Sequence, residues 1–198
     1  MSVLSHYTVS IDYDLYGMRK HSSSSRPAGA PHELDLRRYA SLVDLCAEAW
    51  ETYPNIRAFG NFSNYLSFAD IERLSSDFSV YLQHHVKLLA GDRVAVMMPN
   101  ILQYPVAMLG ILRAGCVVVN TNPQYTPREL RHQLVDSGAQ CLVVFNNMLS
   151  TVHQVIADTK VLPVVTTELG DLFSFPKSMI FNRIARRRLP KFTAKFDV

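Results

Sequence analysis

The residues that could do chemistry in this sequence are few and widely spaced. His84 and His85 are adjacent. Neighbouring side chains on a helix point about 100° apart, and no acid or cysteine lies close by in sequence, so the pair is not expected to hold a metal. The other five histidines, at 6, 21, 32, 132 and 153, stand apart in sequence, and no Ser, His and acid constellation can be drawn from spacing. Cys46, Cys116 and Cys141 all lie in apolar surroundings. An odd number without paired spacing points to reduced thiols that serve as small core residues. Phosphate binding needs several glycines close together, so that successive backbone N–H groups face the anion. The eight glycines, at 17, 29, 60, 91, 110, 115, 138 and 170, are scattered, and Gly110 and Gly115, the nearest pair, read as lying inside and at the end of a helix. No Walker A or dinucleotide fingerprint passes through them. No residue is therefore assigned as catalytic, cofactor-binding or metal-ligating.

Two groups remain as binding candidates. Asn100, Tyr104, Asn122, Pro123 and Tyr125 fall at strand ends and loop starts, where open parallel sheets bind ligands. One reading makes them a substrate-side loop; the other, which the residue types favour, has Asn and Pro ending strands and Tyr packing beneath a loop. The second group is basic. From Lys177 onward stand Lys177, Arg183, Arg186, Arg187, Arg188, Lys191 and Lys195 against the single acid Asp197, so the net charge of +3 belongs to this end and the body is mildly acidic. Mixed with Phe175, Met179, Ile180, Ile184 and Leu189, the cluster suits an anionic membrane surface, where each basic residue adds about 1 kcal/mol. On that reading Lys177, Ile180, Arg183, Ile184, Arg186, Arg187 and Arg188 make the contact. The alternative is a surface helix that packs Ile180 and Ile184 on the body and leaves its arginines in water. Stacking aromatics are sparse and no recognition motif is present, so nucleic acid is not an expected partner.

The elements that must position these residues follow from pattern. Residues 93–98 form an apolar run without alternation, closed by Pro99 and Asn100, which predicts a strand covered on both faces. Leu102, Val106, Leu109 and Ile111 or Leu112 recur at helical period, and Gly115 suits a left-handed helix end. Residues 116–119 read as a second buried strand. Thr126-Pro127-Arg128-Glu129 gives an N-cap, a proline at the first helical position and a glutamate completing a capping box; Leu130 and Leu134 face inward and Gly138 ends the helix. A third strand at 141–145, a helix through Leu149, Val152, Val155 and Ile156, and a fourth strand at 161–165 complete the alternation.

Upstream, Ser41 caps an amphipathic helix with Leu42, Leu45, Cys46, Ala49, Trp50 and Tyr53 on one face, ended by Pro54-Asn55. Residues 56–60 and 62–66 make a hairpin turned at Asn61 or at Ser63-Asn64. Ser67 and Asp70 then open a helix with Ile71, Leu74, Phe78 and Leu82 inward. The fold class is α/β, a mostly parallel sheet flanked by helices, because strands alternating with helices on short connections imply right-handed βαβ units.

With 198 residues and 48% hydrophobic content the chain can bury one substantial core. The organisation expected is a disordered front or extension at 1–31, which holds the linker-like HSSSSRPAGAP, an α/β subdomain at 32–172 and a basic amphipathic segment at 173–198. No apolar run approaches the roughly 20 residues of a membrane helix. The N-terminus lacks a basic region leading into an apolar core. The expected location is cytoplasmic, and on the membrane reading peripheral at the inner face.

The blocks MMPN at 97–100, QYPVAMLGILRAG at 103–115, VVNTNPQYTPREL at 118–130 and HQLVDSGA at 132–139 resemble the N-terminal region of long-chain fatty acyl-CoA ligases, members of the AMP-binding, adenylate-forming superfamily. The similarity continues through SLVDL at 41–45, AFGNF at 58–62, LSFADIERLS at 66–75 and ELGDL at 168–172, and covers about residues 26–192. It implies a fold corresponding to part of the N-terminal domain of adenylate-forming enzymes. It also implies a parent reaction in which a long-chain fatty acid and Mg-ATP give an acyl-adenylate, whose acyl group passes to coenzyme A. ATP, Mg2+ and CoA are thus the cofactors of the full-length family. The parts that carry this chemistry are a Ser/Thr/Gly-rich phosphate loop, an aromatic-x-Thr-Glu segment, an Asp for the ribose and a Lys on a C-terminal domain, and this sequence contains none of them. The expectation is a truncated N-terminal fragment, incomplete as a catalyst, with no cofactor of its own and the remainder of the ligase as partner. A non-enzymatic interaction or membrane-surface module built on the same fold is the alternative.

Overall fold

The run at 93–97 has nowhere polar to point, and the fold forms around it. In the computed structural model, which describes residues 38–173 and 176–188 with side chains only to Arg183 in the last helix, the elements in chain order are α1 (Leu42–Thr52), β1 (Arg57–Asn61), β2 (Asn64–Ser67), α2 (Phe68–His84), β3 (Arg93–Met97), α3 (Gln103–Arg113), β4 (Val117–Asn120), α4 (Pro127–Ser137), β5 (Cys141–Phe145), α5 (Leu149–His153), β6 (Val164–Thr167) and α6 (Lys177–Arg188). The segment 1–31 and Phe175, Leu189, Lys191, Lys195 and Asp197 lie outside the described residues.

Four parallel strands stand in the order β4–β3–β5–β6. The two-residue period of a strand splits the core into two layers. Val94 and Val96 meet Cys141 and Val143 on one face, under Leu82 of α2 and Ala107 and Ile111 of α3. Ala95 and Met97 meet Leu142 and Val144 on the other, under Leu130 and Leu134 of α4 and Val152 of α5. Each Val or Met removed completely from water contributes about 1.5–3 kcal/mol, which is why this apolar core outweighs local preferences elsewhere. A third cluster joins Trp50 of α1, Leu66 of β2, Ile71 of α2, Val106 and Leu109 of α3, and Phe173.

The helix ends follow their chemistry. Ser67 and Asp70 form a reciprocal capping box on α2, and Thr126 and Glu129 form another on α4, with Pro127 at its first position and Gly138 left-handed at φ 61°. The seam between α2 and α3 is unusually close because its residues are small. Ser75 and Ser79 are buried there, their hydroxyls donating to the Glu72 and Ser76 carbonyls. A Cβ on Gly110 would lie 2.7 Å from Phe78 Cδ1 and 3.0 Å from the Ser75 carbonyl oxygen.

Several expectations need correction. In α1 the packed stripe is Val43, Cys46, Ala47 and Trp50, while Leu42, Leu45 and Tyr53 are exposed. Two apolar stripes lie about 100° apart on this helix, and the bulk of Trp50, with the Arg113 guanidinium 4.4 Å from its ring centre, decides between them. The strand at β4 is not buried: it pairs only with β3, and Val117 is 47% exposed, because among the described residues no strand lies beyond it. The single helix expected through Leu149 and Ile156 is one α turn, α5, between 3₁₀ turns at Asn146–Met148 and Ile156–Asp158. Its Thr and Val are poor helix formers, and no side chain caps its start. The fourth strand begins at Val164, not 161, since Pro163 has no N–H for the ladder. Its carbonyl still accepts from the Leu142 N–H at 3.2 Å.

The hairpin β1–β2 is antiparallel with Asn61 opposite Asn64, so the turn consists of Phe62 and Ser63, with φ of 47° and 57°. Two successive positive φ values mark the mirror-image turn that matches strand twist. The Phe62 ring stands 6.0 Å from Phe181 of α6, which meets Phe173 edge-on at 5.1 Å. Thus α6 docks through Phe181, and Ile180, expected to pack in the surface-helix reading, is 51% exposed.

Gly110→Ala should destabilise the protein in urea unfolding, because overpacking the seam at about 1–3 kcal/mol exceeds the gain of about 1 kcal/mol in helix propensity. A second expectation concerns pH. Hydrogen bonds from Ser67 hold the Asp70 carboxyl below its ordinary range, and those from Thr126 do the same for Glu129. Both carboxylates therefore stabilise the fold at neutral pH and lose that effect as pH falls below the ordinary carboxylate range. The stability gap between the wild type and Asp70→Ala/Glu129→Ala should close on acidification toward pH 3; a gap that stays constant would contradict the capping account.

Candidate functional site

From β3 the chain passes first to β4 on one side, then returns across β3 to β5 on the other. The order reverses between β3 and β5, and in open α/β sheets ligands bind beyond the carboxyl ends of the strands at such a point. The segment after β3 holds Pro99 and Asn100, and Asn146 follows β5 directly.

The expected site residues gather along this edge in unequal roles. The Tyr104 hydroxyl, in the first turn of α3, donates to Asn120 Oδ1 at 2.9 Å and so bridges the ends of the β3–α3–β4 unit. Asn100 is exposed, and its carbonyl accepts from Asn61 Nδ2 at 3.1 Å, tying the hairpin to the loop after β3. Asn122 turns back on its own loop, Oδ1 accepting the Gln124 N–H at 2.9 Å, and Pro123 follows it half-buried. Tyr125 packs on the α4 side of the sheet with Leu130 and its neighbours. Asn100 and Tyr104 therefore face the loops at the strand ends, whereas Asn122 and Tyr125 brace them.

Three residues of this edge escaped the sequence reading. Gln103 is only 6% exposed, and its Nε2 donates to the carbonyls of Glu168 and Leu169 at 2.7 and 3.3 Å. The signal was there: Gln103 is a polar residue in register with Val106 and Gly110 on an apolar stripe. Asn120 gains its partner from sixteen residues away, and Asn146 carries a buried Oδ1 without a partner; neither has a local signature. Beyond β6 a second clasp forms. Asp171 Oδ2 accepts from the Glu168 N–H and the Thr167 hydroxyl, and its Oδ1 accepts from Asn182 Nδ2 of α6 at 2.9 Å, while Asn182 Oδ1 accepts the Gly170 N–H at 2.8 Å.

Apart from the Asp171 carboxylate, which the clasp beyond β6 engages on both oxygens, amides, a phenol and hydroxyls make up this edge. They can position a ligand by neutral hydrogen bonds, but they do not fit a triphosphate or its cation, which call for converging N–H groups and carboxylates. Among the described residues no group of three His, Cys, Asp or Glu side chains could hold a metal. His84 is exposed, and His85 stacks on Tyr81 at 4.9 Å instead of pairing with it. Cys116 and Cys141 are core groups: burial pushes Cys141 up to about 12 and raises Cys116, and burial also raises half-buried Cys46, against the opposing charge of Arg113. Two concavities stand out. A broad depression of about 810 Å³ runs over the solvent side of α4 from Tyr125 to Val135. A smaller depression of about 200 Å³, also open to solvent, lies among Phe78, Gln103, Val106, Val143 and Val165.

A family model for AMP-binding enzymes matches residues 46–189. The chain belongs to the AMP-binding enzyme family. Within that family it is similar to the long-chain-fatty-acid–CoA ligase of Escherichia coli O6:H1, 44% identical over 178 residues that make up 88% of this chain and 32% of that protein. It is also similar to the protein of the same name in Bacillus subtilis strain 168, 31% identical over 155 residues, 78% of this chain and 27% of that one. The chain thus spans about a third of the length of these AMP-binding relatives. The fold agrees with a crystal structure of a long-chain-fatty-acid-CoA ligase from Archaeoglobus fulgidus, at a TM-score of 0.58 and 24% identity, over 64% of this chain and 27% of that chain.

Iodoacetamide applied to the native protein should modify Cys46 well before Cys116 and Cys141, which should react only after unfolding. Peptide mass spectrometry reads the order directly, and early labelling of Cys141 would contradict its placement in the core.

Proposed function

We propose that this chain forms the N-terminal α/β part of a long-chain fatty acyl-CoA ligase. In the proposed parent reaction a fatty acid carboxylate attacks the α-phosphate of Mg-ATP, giving acyl-adenylate and pyrophosphate, and the thiol of coenzyme A then displaces AMP. The observation that carries this reading is 44% identity over 88% of the chain to proteins named for that activity. The role assigned to these residues is scaffolding: Asn100, Tyr104 and Asn120 shape one wall at the strand ends, and triphosphate chemistry falls to segments outside the 198 residues. The 198-residue protein, given MgATP, oleate and CoA, should release no pyrophosphate and show no saturable uptake of MgATP in calorimetry. Co-expression with the remaining two thirds of the E. coli relative should produce oleate-dependent release. Turnover by the short chain alone would refute its scaffolding role; failure of the combined halves would refute the ligase assignment.

A second reading, contact with the inner face of a membrane, is favoured by one feature. On α6, Met179 and Ile180 are exposed beside Lys177 and Arg183, the mixture of apolar anchors and cations that anionic lipid attracts. Sedimentation with phosphatidylserine vesicles should be strong for the wild type and weak for Arg186→Glu/Arg187→Glu/Arg188→Glu, and equal binding by both would sink the idea.

A further inference from the structure

We propose that the tip of the β1–β2 hairpin enters the headgroup region of an anionic membrane, with Phe62 as its apolar anchor. The turn residues Phe62 and Ser63 have φ of 47° and 57°, a backbone for which Asn-Gly, Asp-Gly or Gly-Gly is the favoured sequence. A bulky side chain at positive φ is an outlier, and here the ring is 62% exposed as well. Phe181 takes up one flank of it, at 6.0 Å between ring centres, and the rest stands in water. An aromatic side chain that goes against the turn's own preference and stays mostly wet points to a contact made outside the fold.

The ring is not exposed alone. Through Phe181 it adjoins α6, where Met179 and Ile180 are 64% and 51% exposed. Successive helical residues turn by about 100°, which sets Lys177 and then Ile180 on one flank of Phe181, opposite the flank of Asn182, whose amide is bound to Gly170 and Asp171. The Lys177 flank is the one beside the hairpin, because Lys177, Ser63 and Tyr65 line a single open depression. Arg57 lines it too, its guanidinium 4.3 Å from the centre of the Tyr65 ring. The acids there are already engaged, Asp70 by Ser67 and Asp171 by the clasp beyond β6. Among the described residues neither Arg57 nor Lys177 forms an ion pair with a carboxylate. Apolar groups therefore protrude from two elements around a cationic hollow. Such a surface has no slot for the apolar side chains of a peptide, but it suits lipid, with phosphates over Arg57 and Lys177 and acyl chains around Phe62 and Ile180. This inference rests on the membrane reading of α6 and adds to it a stretch of chain far away in sequence.

Fluorescence gives a direct report, because the native Trp50 is only 3% exposed and sits in the core. On vesicles of phosphatidylserine and phosphatidylcholine with brominated acyl chains, the 198-residue Phe62→Trp protein should be strongly quenched and the wild type should not. Phe62→Asn installs a residue that tolerates the left-handed backbone, so the hairpin should form, as urea unfolding would verify. Its vesicle affinity should fall about tenfold, the order expected for one ring carried from water into an apolar layer. Bound but unquenched Phe62→Trp, or wild-type affinity in folded Phe62→Asn, overturns the proposal; if Arg186→Glu/Arg187→Glu/Arg188→Glu still weakens binding, the α6 reading survives without it. A wild type that ignores anionic vesicles sinks both, and capture by polyglutamate in their place would assign the surface to an acidic protein. The quenching measurement keeps the test intact even where Phe62→Asn fails to fold.

Discussion

Strand β3 has no face that can meet water, and the other layers answer that constraint. Val94 and Val96 require α2 and α3 above them, Ala95 and Met97 require α4 and α5 below, and a parallel strand needs neighbours on both edges. Arg93 sets the register at the amino end. Its N–H donates to Gln140 Oε1 at 3.1 Å, its carbonyl accepts the Gln140 N–H at 2.9 Å, and its guanidinium donates to the last carbonyls of α4, at Ser137 and Gly138. Gln140 in turn donates to Asp92 Oδ1 at 2.7 Å. One polar cluster therefore joins β3, β5 and the C-terminus of α4. Charge holds the sheet at that end, while at the opposite end the switch-point loops present amides and a phenol, and the Asp171 carboxylate is taken up in the clasp beyond β6.

What could be read before folding, and what could not, divides along the range of the interaction. Capping boxes at Ser67 and Thr126, the left-handed Gly138 and the inward Leu130 and Leu134 are written within four residues or one helical turn, and each appears where its local chemistry puts it. The parallel arrangement followed from the alternation of strand and helix. Readings that depended on distant partners went astray: the packed face of α1 was decided by Trp50 meeting α3, and the exposure of β4 by its place at the edge of the sheet; only the start of β6 was misjudged on a local signal, Pro163. The same holds at the strand ends. Tyr104 was legible as a loop residue, but its bond to Asn120 needs the completed β3–α3–β4 crossover.

The close approach of α2 and α3 links packing to the depression beside it. Small residues at Ser75, Ser79 and Gly110 let the two backbones come together, and Phe78, placed between them, lines the neighbouring space together with Val106 and Gln103. The tight seam and the adjacent depression are therefore two sides of one arrangement.

The turn at Phe62 and Ser63 carries its own implication. A left-handed backbone at a residue with a side chain costs about 1–2 kcal/mol, and a conformation of that kind persists only where its surroundings enforce it. At Phe62 and Ser63 the β1–β2 pairing, with Asn61 opposite Asn64, supplies those surroundings, and the Phe62 ring reaches out from the turn to stand 6.0 Å from Phe181 on the last described helix. The tip of the hairpin thus serves as a landing point for α6, whose Phe181 stands between the turn and Phe173.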